Sequence, residues 1–440
     1  MSNLHETVRQ HAGKLAANLG GLAEYSIGTI IEHRQEPPVL PPIPADVTSP
    51  ASHVSGTSNE SDHSDKSNRK QNQADQSDLS LSGSTIPQPL TWYQIPLAGG
   101  LSGDGSEYHC YLKRGTTEHL VIFLSGGGVA WNEFTAARPV TGSRVAAGAP
   151  NYYWNNLRPF TQIMNINVGI TEADSARNPF RDWNFLIIPY TTGDFHVGNR
   201  DVPYVDEDGN PQILHCHGAA NVRAALAVCK AYFPDPDQLL IAGDSAGAFA
   251  VPAVSGQIAD EWYPEVSDIT LFSDSALLPN QNWQDIARDF WGADPSVWEP
   301  LVTGNITCDW YQQLLQSHPG RFRVLYATST HDYLLSAFYN DMTHKVYKTT
   351  TGVRSAYYRQ TRNMVRRLKE LEPNTAVYIN NWVNPLMSKA QMGTIHTAVR
   401  QPYFYVPGPG DVTMASWLAD AVAGKLYDVG AELLLPKARS

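Results

Sequence analysis

The sequence predicts an α/β domain with a mostly parallel central sheet and helices on both faces. From about residue 91 onward, short apolar runs alternate with longer helix-like stretches. The runs are rich in Val, Ile, Leu and Phe along their whole length, as strands covered on both faces require. One of them also passes through a small-residue turn straight into a helix.

Taken in order, residues 1–35 carry Val8, Leu15, Leu19, Leu22, Ile27 and Ile31 at loosely helical spacing, interrupted by Gly20-Gly21. They predict a helical hairpin or docking helix, a site for a protein partner. Residues 36–90 are first Pro-rich and then Ser-, Asp-, Asn- and Gln-rich. Such a stretch buries too little apolar surface to offset its ordering entropy, so a disordered linker is predicted. The catalytic domain is expected over 91–440. Its predicted strands are His119–Leu124, Asn184–Pro189, Gln238–Ala242, Asp268–Phe272, Phe322–Tyr326 and Thr375–Ile379. Its predicted helices are Gly218–Tyr232, Ala246–Asp260, Tyr357–Leu371 and Val412–Leu426.

The strand ending at Ala242 runs into Gly243-Asp244-Ser245-Ala246-Gly247 and then a helix. That is the strand, turn and helix context of a nucleophile elbow, and it narrows the expectation to the α/β-hydrolase fold with Ser245 as nucleophile. A serine hydroxyl needs a positioned base, and the base needs an acid to hold its tautomer; in this fold both follow the serine. Asp274 and Asp332 each follow a predicted strand. Asp332 is preferred because it lies on the later one, nearer the candidate base, with Asp274 as the reserve or a pocket-wall group. His396 lies in a loop between the last strand and the terminal helix, where the base belongs, whereas His344 sits in a polar stretch.

A tetrahedral intermediate needs fixed N–H donors. Ala246 N–H follows the nucleophile. Gly126, Gly127 and Gly128, directly after the strand His119–Leu124, offer further unobstructed amides. No Lys-Ser or Lys-Thr pair follows them, as a phosphate loop would demand. Trp131, Phe195 and Tyr333 flank these loops as pocket candidates, or else belong to the core. His215-Cys216-His217 reads as a helix N-terminus, since no third ligand follows at helical or hairpin spacing; no metal and no cofactor are predicted.

The net charge of −11 and the absence of a Lys/Arg-rich stripe argue against nucleic acid as a partner. Four cysteines, Cys110, Cys216, Cys229 and Cys308, have no CxxC spacing and read as free thiols. No basic region followed by an apolar run opens the chain, and no stretch approaches the ~18 apolar residues of a membrane span. The expectation is a cytoplasmic protein, or one exported without such a signal.

Three segments give a more specific likeness: Leu120 to Trp131 with its glycine triplet, Tyr190-Thr191-Thr192-Gly193-Asp194-Phe195-His196-Val197-Gly198, and His217-Gly218-Ala219-Ala220-Asn221 leading into the elbow. Together they resemble the pectin acetylesterase and Notum family from about Trp92 to Gln401. The family's Glu-Gly-Gly-Gly-Trp-Cys segment falls on Ser125 to Ala130, and its Ser-Ala-Gly on Ser245-Ala246-Gly247. Its Asp-Ala-Gly falls on Asp274-Ser275-Ala276, its Tyr-Asp-x-Trp-Gln on His331 to Leu335, and its catalytic His on His396. The resemblance implies an α/β-hydrolase that removes an acetyl or other acyl group from an ester, a small molecule or acetylated saccharide, without a cofactor. It implies the same triad that the residues alone suggest. Ser125 replaces the family's Glu, Val129-Ala130 its Trp-Cys, and Thr191-Thr192 its Cys-Asp, so the disulfides of secreted members are missing and the substrate does not carry over. The alternatives are a hormone-sensitive-lipase-like carboxylesterase, whose glycine triplet would follow His rather than Ser125, and a non-catalytic binding module on the same fold.

Overall fold

The computed structural model describes residues 37–42, 87–157, 165–383 and 393–435. The expected N-terminal helical segment and residues 43–86 of the expected linker lie outside the described residues. Residues 37–42 run beside the sheet edge, with Leu40 N–H donating to Gln94 O and Gln94 N–H to Pro38 O, both at 3.0 Å.

Among the described residues, eight strands form the main sheet: β1 (Trp92–Leu101), β2 (Glu107–Lys113), β3 (His119–Leu124), β4 (Asn184–Ile188), β7 (Gln238–Asp244), β8 (Ile269–Asp274), β9 (Phe322–Ser329) and β10 (Ala376–Asn380). A separate antiparallel hairpin is made by β5 (Arg200–Val205) and β6 (Pro211–Cys216). The order across the main sheet is β1-β2-β4-β3-β7-β8-β9-β10, antiparallel at β1, β2 and β4 and parallel from β4 onward. This mixed α/β architecture is that of an α/β-hydrolase. The six predicted strands are those of the parallel portion, each within two or three residues of its observed ends. The edge strand β1, its neighbour β2 and the hairpin escaped prediction because no unbroken apolar run marks them: Gln94, Pro96 and Gly99-Gly100 interrupt β1, and Glu107, His109 and Lys113 interrupt β2.

Alternation along β3 divides the core. Leu120, Ile122 and Leu124 face one apolar cluster and Val121 and Phe123 the other, and all five are fully buried. Burying each such side chain contributes about 2 kcal/mol.

The helices that matter for the site are α1 (Gly218–Tyr232), α2 (Ala246–Gln257), α3 (Ile306–Ser317), α4 (Tyr333–His344), α5 (Thr351–Leu371) and α6 (Met414–Val422). The expected helices match α1 in full and α5 over its C-terminal two thirds; α2 ends before its expected end, α6 is shorter than expected at both ends, and α3 and α4 were not anticipated. Asn305 caps α3 and Asp332 caps α4 through side-chain acceptance of backbone N–H groups. Both helices therefore begin at a polar residue whose side chain takes up N–H groups of the first turn.

Register fixes where chemistry is concentrated. Leu124 pairs with Gly243 and Asp244 with Asp274. The chain thus leaves β3, β7 and β8 at the same, carboxyl-terminal edge of the sheet, where ligands of open α/β sheets bind. The loops after β9 and β10 leave that edge too.

Candidate active site

Ser245 stands between β7 and α2 at φ 49°, ψ −122°, a backbone conformation costing on the order of 1–3 kcal/mol that is held only because its surroundings dictate it. A Cβ on Gly243 would lie 2.4 Å from Gly247 O, and one on Gly247 would lie 1.9 Å from Leu124 O. Both glycines of the elbow are thus demanded by close backbone approach.

The Ser245 Oγ lies 2.8 Å from His396 Nε2, and His396 Nδ1 lies 2.6 Å from Asp332 Oδ2. All three side chains are buried. Asp332 is also the α4 cap: its Oδ1 accepts Leu334 N–H at 3.0 Å and Leu335 N–H at 2.9 Å, leaving Oδ2 for the imidazole. The loop bearing the histidine is joined to the acid's loop by Thr394 N–H to His331 O, 3.0 Å, and by His331 N–H to Thr394 Oγ1, 2.7 Å. Such a chain of hydroxyl, imidazole and carboxylate can move a proton off the serine and stabilise the resulting imidazolium.

Asp274 makes a different set of contacts. Its Oδ2 accepts Ala398 N–H at 2.6 Å and Val399 N–H at 2.9 Å, and its Oδ1 accepts the Ser275 hydroxyl at 3.1 Å. Burial pushes this carboxyl up to about 6, against the pull of those donors. It anchors the segment just after His396 and leaves the imidazole contact to Asp332.

The glycine loop abuts the elbow, since a Cβ on Gly126 would fall 2.6 Å from Ser245 Cβ. The sequence reading gives an oxyanion role to the amides of Gly126, Gly127, Gly128 and Ala246. Gly126 departs from that expectation: its N–H donates to Asp244 Oδ1 at 2.8 Å and is already engaged. Among the described residues, the N–H groups of Gly127, Gly128 and Ala246 have no protein acceptor. Ala246 is the first residue of α2, where the helix end carries partial positive charge.

Beneath these loops lies a polar network that sequence reasoning missed. Arg400 forks onto Asp244, Nε to Oδ2 at 3.0 Å and Nη2 to Oδ1 at 2.8 Å, and its Nη1 donates to Ser125 Oγ at 3.1 Å and Asn165 Oδ1 at 2.8 Å. Arg400 is 2% exposed and Asp244 0%. A signal was available: an aspartate at the end of a fully buried strand requires a partner, and Arg400 follows the candidate base by four residues. Ser125, where the family motif has Glu, accepts from this guanidinium instead of adding a second carboxylate. On the other flank, His196 Nε2 lies 2.9 Å from Ser125 O, and burial lowers that imidazole to about 4, so it stays neutral and donates to the carbonyl. Asp194 holds the same loop by accepting from Thr192 Oγ1, His196 N–H and Gly218 N–H.

The pocket candidates divide. Phe195 stacks on Phe249 at 4.4 Å, with Trp283 and Trp291 beside it, and is 1% exposed; it belongs to the aromatic core, which corrects its assignment to a pocket wall. Trp131 packs edge-on against Tyr152 and Phe338. Tyr333 opens α4 directly after Asp332 and is buried. His215 and Cys216 end β6, and only His217 stands at the N-cap of α1, where its side chain makes no capping bond, so the helix-terminus reading holds for one residue of the three.

Residues 89–288 match the family model of the pectinacetylesterases, which supports a pectin acetylesterase/Notum-like assignment and implies a carboxylic ester hydrolase. The matched stretch spans the glycine loop, the elbow and Asp274 and ends before Asp332 and His396. No curated protein matches the chain.

Proposed function

We propose, with that family match as premise, that the chain is a serine esterase that removes an acetyl or other short acyl group by a two-step acyl transfer through Ser245. The observation that carries the reading is the continuous contact from Ser245 Oγ to His396 Nε2, 2.8 Å, and from His396 Nδ1 to Asp332 Oδ2, 2.6 Å. His396 takes the serine proton as Oγ attacks the ester carbonyl. The tetrahedral oxyanion is stabilised by N–H donors from Ala246 and the Gly127–Gly128 turn, each worth about 3 kcal/mol of barrier. Collapse expels the alcohol, which receives its proton from His396, and leaves an acyl-serine. Water, deprotonated by His396, then attacks the acyl carbon; the acid departs and Ser245 regains its proton.

The substrate proposed is a small ester or an acetylated saccharide. Turnover of p-nitrophenyl esters from acetate to octanoate, alongside acetylated sugars, tests it. Rates highest for acetate and falling steeply with chain length support deacetylation. A preference for octanoate refutes it and favours a lipase-like carboxylesterase, and turnover of none of these esters leaves the binding-module alternative.

A further inference from the structure

The β5–β6 hairpin brings together three ligand-type side chains that take no part in the contacts around Ser245. His215 and His217 are two residues apart and project from one face of β6 and its continuation. Asp201 on β5 is the direct cross-strand partner of His215. The His215 Nδ1 lies 2.6 Å and the His217 Nε2 2.9 Å from the same oxygen, Asp201 Oδ1. The two rings stand at 89° to one another with centroids 5.6 Å apart, and the three ligand atoms lie within 4.8 Å of one another. The imidazoles retain 19% and 25% of their surface, so a hydrated ion can reach them.

We propose that Asp201, His215 and His217 form a binding site for a divalent cation of the zinc class. Two imidazoles and one carboxylate are a borderline-soft donor set that suits zinc or its transition-metal neighbours and not calcium or magnesium, which take oxygen ligands. A neutral imidazole needs only to carry its proton on the other ring nitrogen to present a lone pair where it now meets Asp201. A small inward movement of each group then replaces the shared hydrogen-bond acceptor by a shared cation, with water completing the coordination. No third ligand follows His215-Cys216-His217 downstream at helical or hairpin spacing; Asp201 reaches the pair from upstream, across the hairpin.

The backbone around the trio is fixed. His215 N–H donates to Gly103 O at 3.0 Å, and His217 N–H to His215 O at 2.9 Å. Gly218, the next residue, donates to Asp194 Oδ2 at 2.8 Å. An ion bound here ties the strand β5 to the start of α1 and reinforces the Asp194 loop. Zinc binding therefore raises the melting temperature, because the ion binds the folded hairpin in preference to the unfolded chain.

The test is titration calorimetry of the full chain, stripped with a chelator, against Zn2+, Mg2+ and Ca2+, with melting curves in parallel. The comparison proteins are the double variant His215→Ala/His217→Ala and the single variant Asp201→Asn, which keeps the side-chain shape but removes the anionic ligand. The proposal expects one Zn2+ per chain, no heat from Mg2+ or Ca2+, and affinity at least about tenfold weaker in either variant. It also expects the zinc-induced rise in melting temperature to vanish in the double variant. Absence of zinc binding to the wild type, or binding of equal strength and stoichiometry in the variants, would show a hydrogen-bonded trio and overturn the site. Because none of the three residues touches Ser245, His396 or Asp332, this outcome is independent of whether the chain proves to be an esterase.

Discussion

Replacing Asp332 by Asn separates the two tasks that one carboxylate performs. Its Oδ1 accepts two α4 N–H groups, at 3.0 and 2.9 Å, while its Oδ2 meets His396 Nδ1 at 2.6 Å. An asparagine keeps the helix cap only by turning its carbonyl oxygen to those amides, which points its NH2 group at the imidazole. A donor there requires Nδ1 to be an acceptor, so the ring proton moves to Nε2 and His396 can no longer take the Ser245 proton. The cap, worth about 1 kcal/mol, is retained, so the folded state stays close to wild type. Turnover, by contrast, falls roughly 10^3- to 10^4-fold, the scale on which a wrong tautomer acts in hydrolytic triads. Steady-state hydrolysis of p-nitrophenyl acetate gives kcat, and a urea melt gives stability. A variant with kcat within about tenfold of wild type would refute the assignment of Asp332 as the group that orients His396.

Two further substitutions probe the support beneath the site. Arg400→Met strands Asp244 in the protein interior and costs about 3–5 kcal/mol, read as a shift in the urea midpoint; the double variant Asp244→Asn/Arg400→Met loses less than the sum of the two singles. A single variant within about 1 kcal/mol of wild type would mean that the buried pair contributes little. Asp274→Asn acts through pH. Burial raises this carboxyl to about 6, above its unfolded value, so its contribution to stability is fully present at pH below about 4 and is lost as pH rises through 6, a change on the order of 3 kcal/mol. The variant removes that decline between pH 4 and 7 in urea melts and keeps kcat within about tenfold, because its oxygen still accepts from Ala398 and Val399. An undiminished decline would assign it to other groups, and a collapse of kcat to the level of the Asp332 variant would move the acid to Asp274.

The parts of the molecule legible from sequence are those with a strong local cause. Strands buried on both faces announce themselves as unbroken apolar runs, and the elbow announces itself because Gly243 and Gly247 meet other backbone at distances no side chain tolerates. Asp332 and His396, whose side chains line up with Ser245 in one hydrogen-bonded chain, were reachable as an acid and a histidine that follow the serine in sequence. What escaped depends on partners distant in sequence. β1 and β2 pair with each other without an unbroken apolar run in either, so neither reads as a core strand. Arg400 looks like a surface cation until Asp244, Ser125 and Asn165 converge on it. Gly126 resembles Gly127 and Gly128 in sequence, yet its amide is taken by Asp244, which no local rule reveals. Phe195 stands among loop residues in the sequence but folds inward onto Phe249, Trp283 and Trp291.

Ser245 as nucleophile is the claim on which the functional account rests, and covalent labelling addresses it most directly. Wild type and Ser245→Ala are incubated with a serine-reactive p-nitrophenyl phosphonate and weighed by intact-protein mass spectrometry, with peptide mapping of the adduct. The expected result is one adduct on the wild type, mapped to Ser245 and formed in step with loss of esterase activity, and none on the variant. An unlabelled wild type that still hydrolyses esters, or an equal adduct on Ser245→Ala, would contradict it.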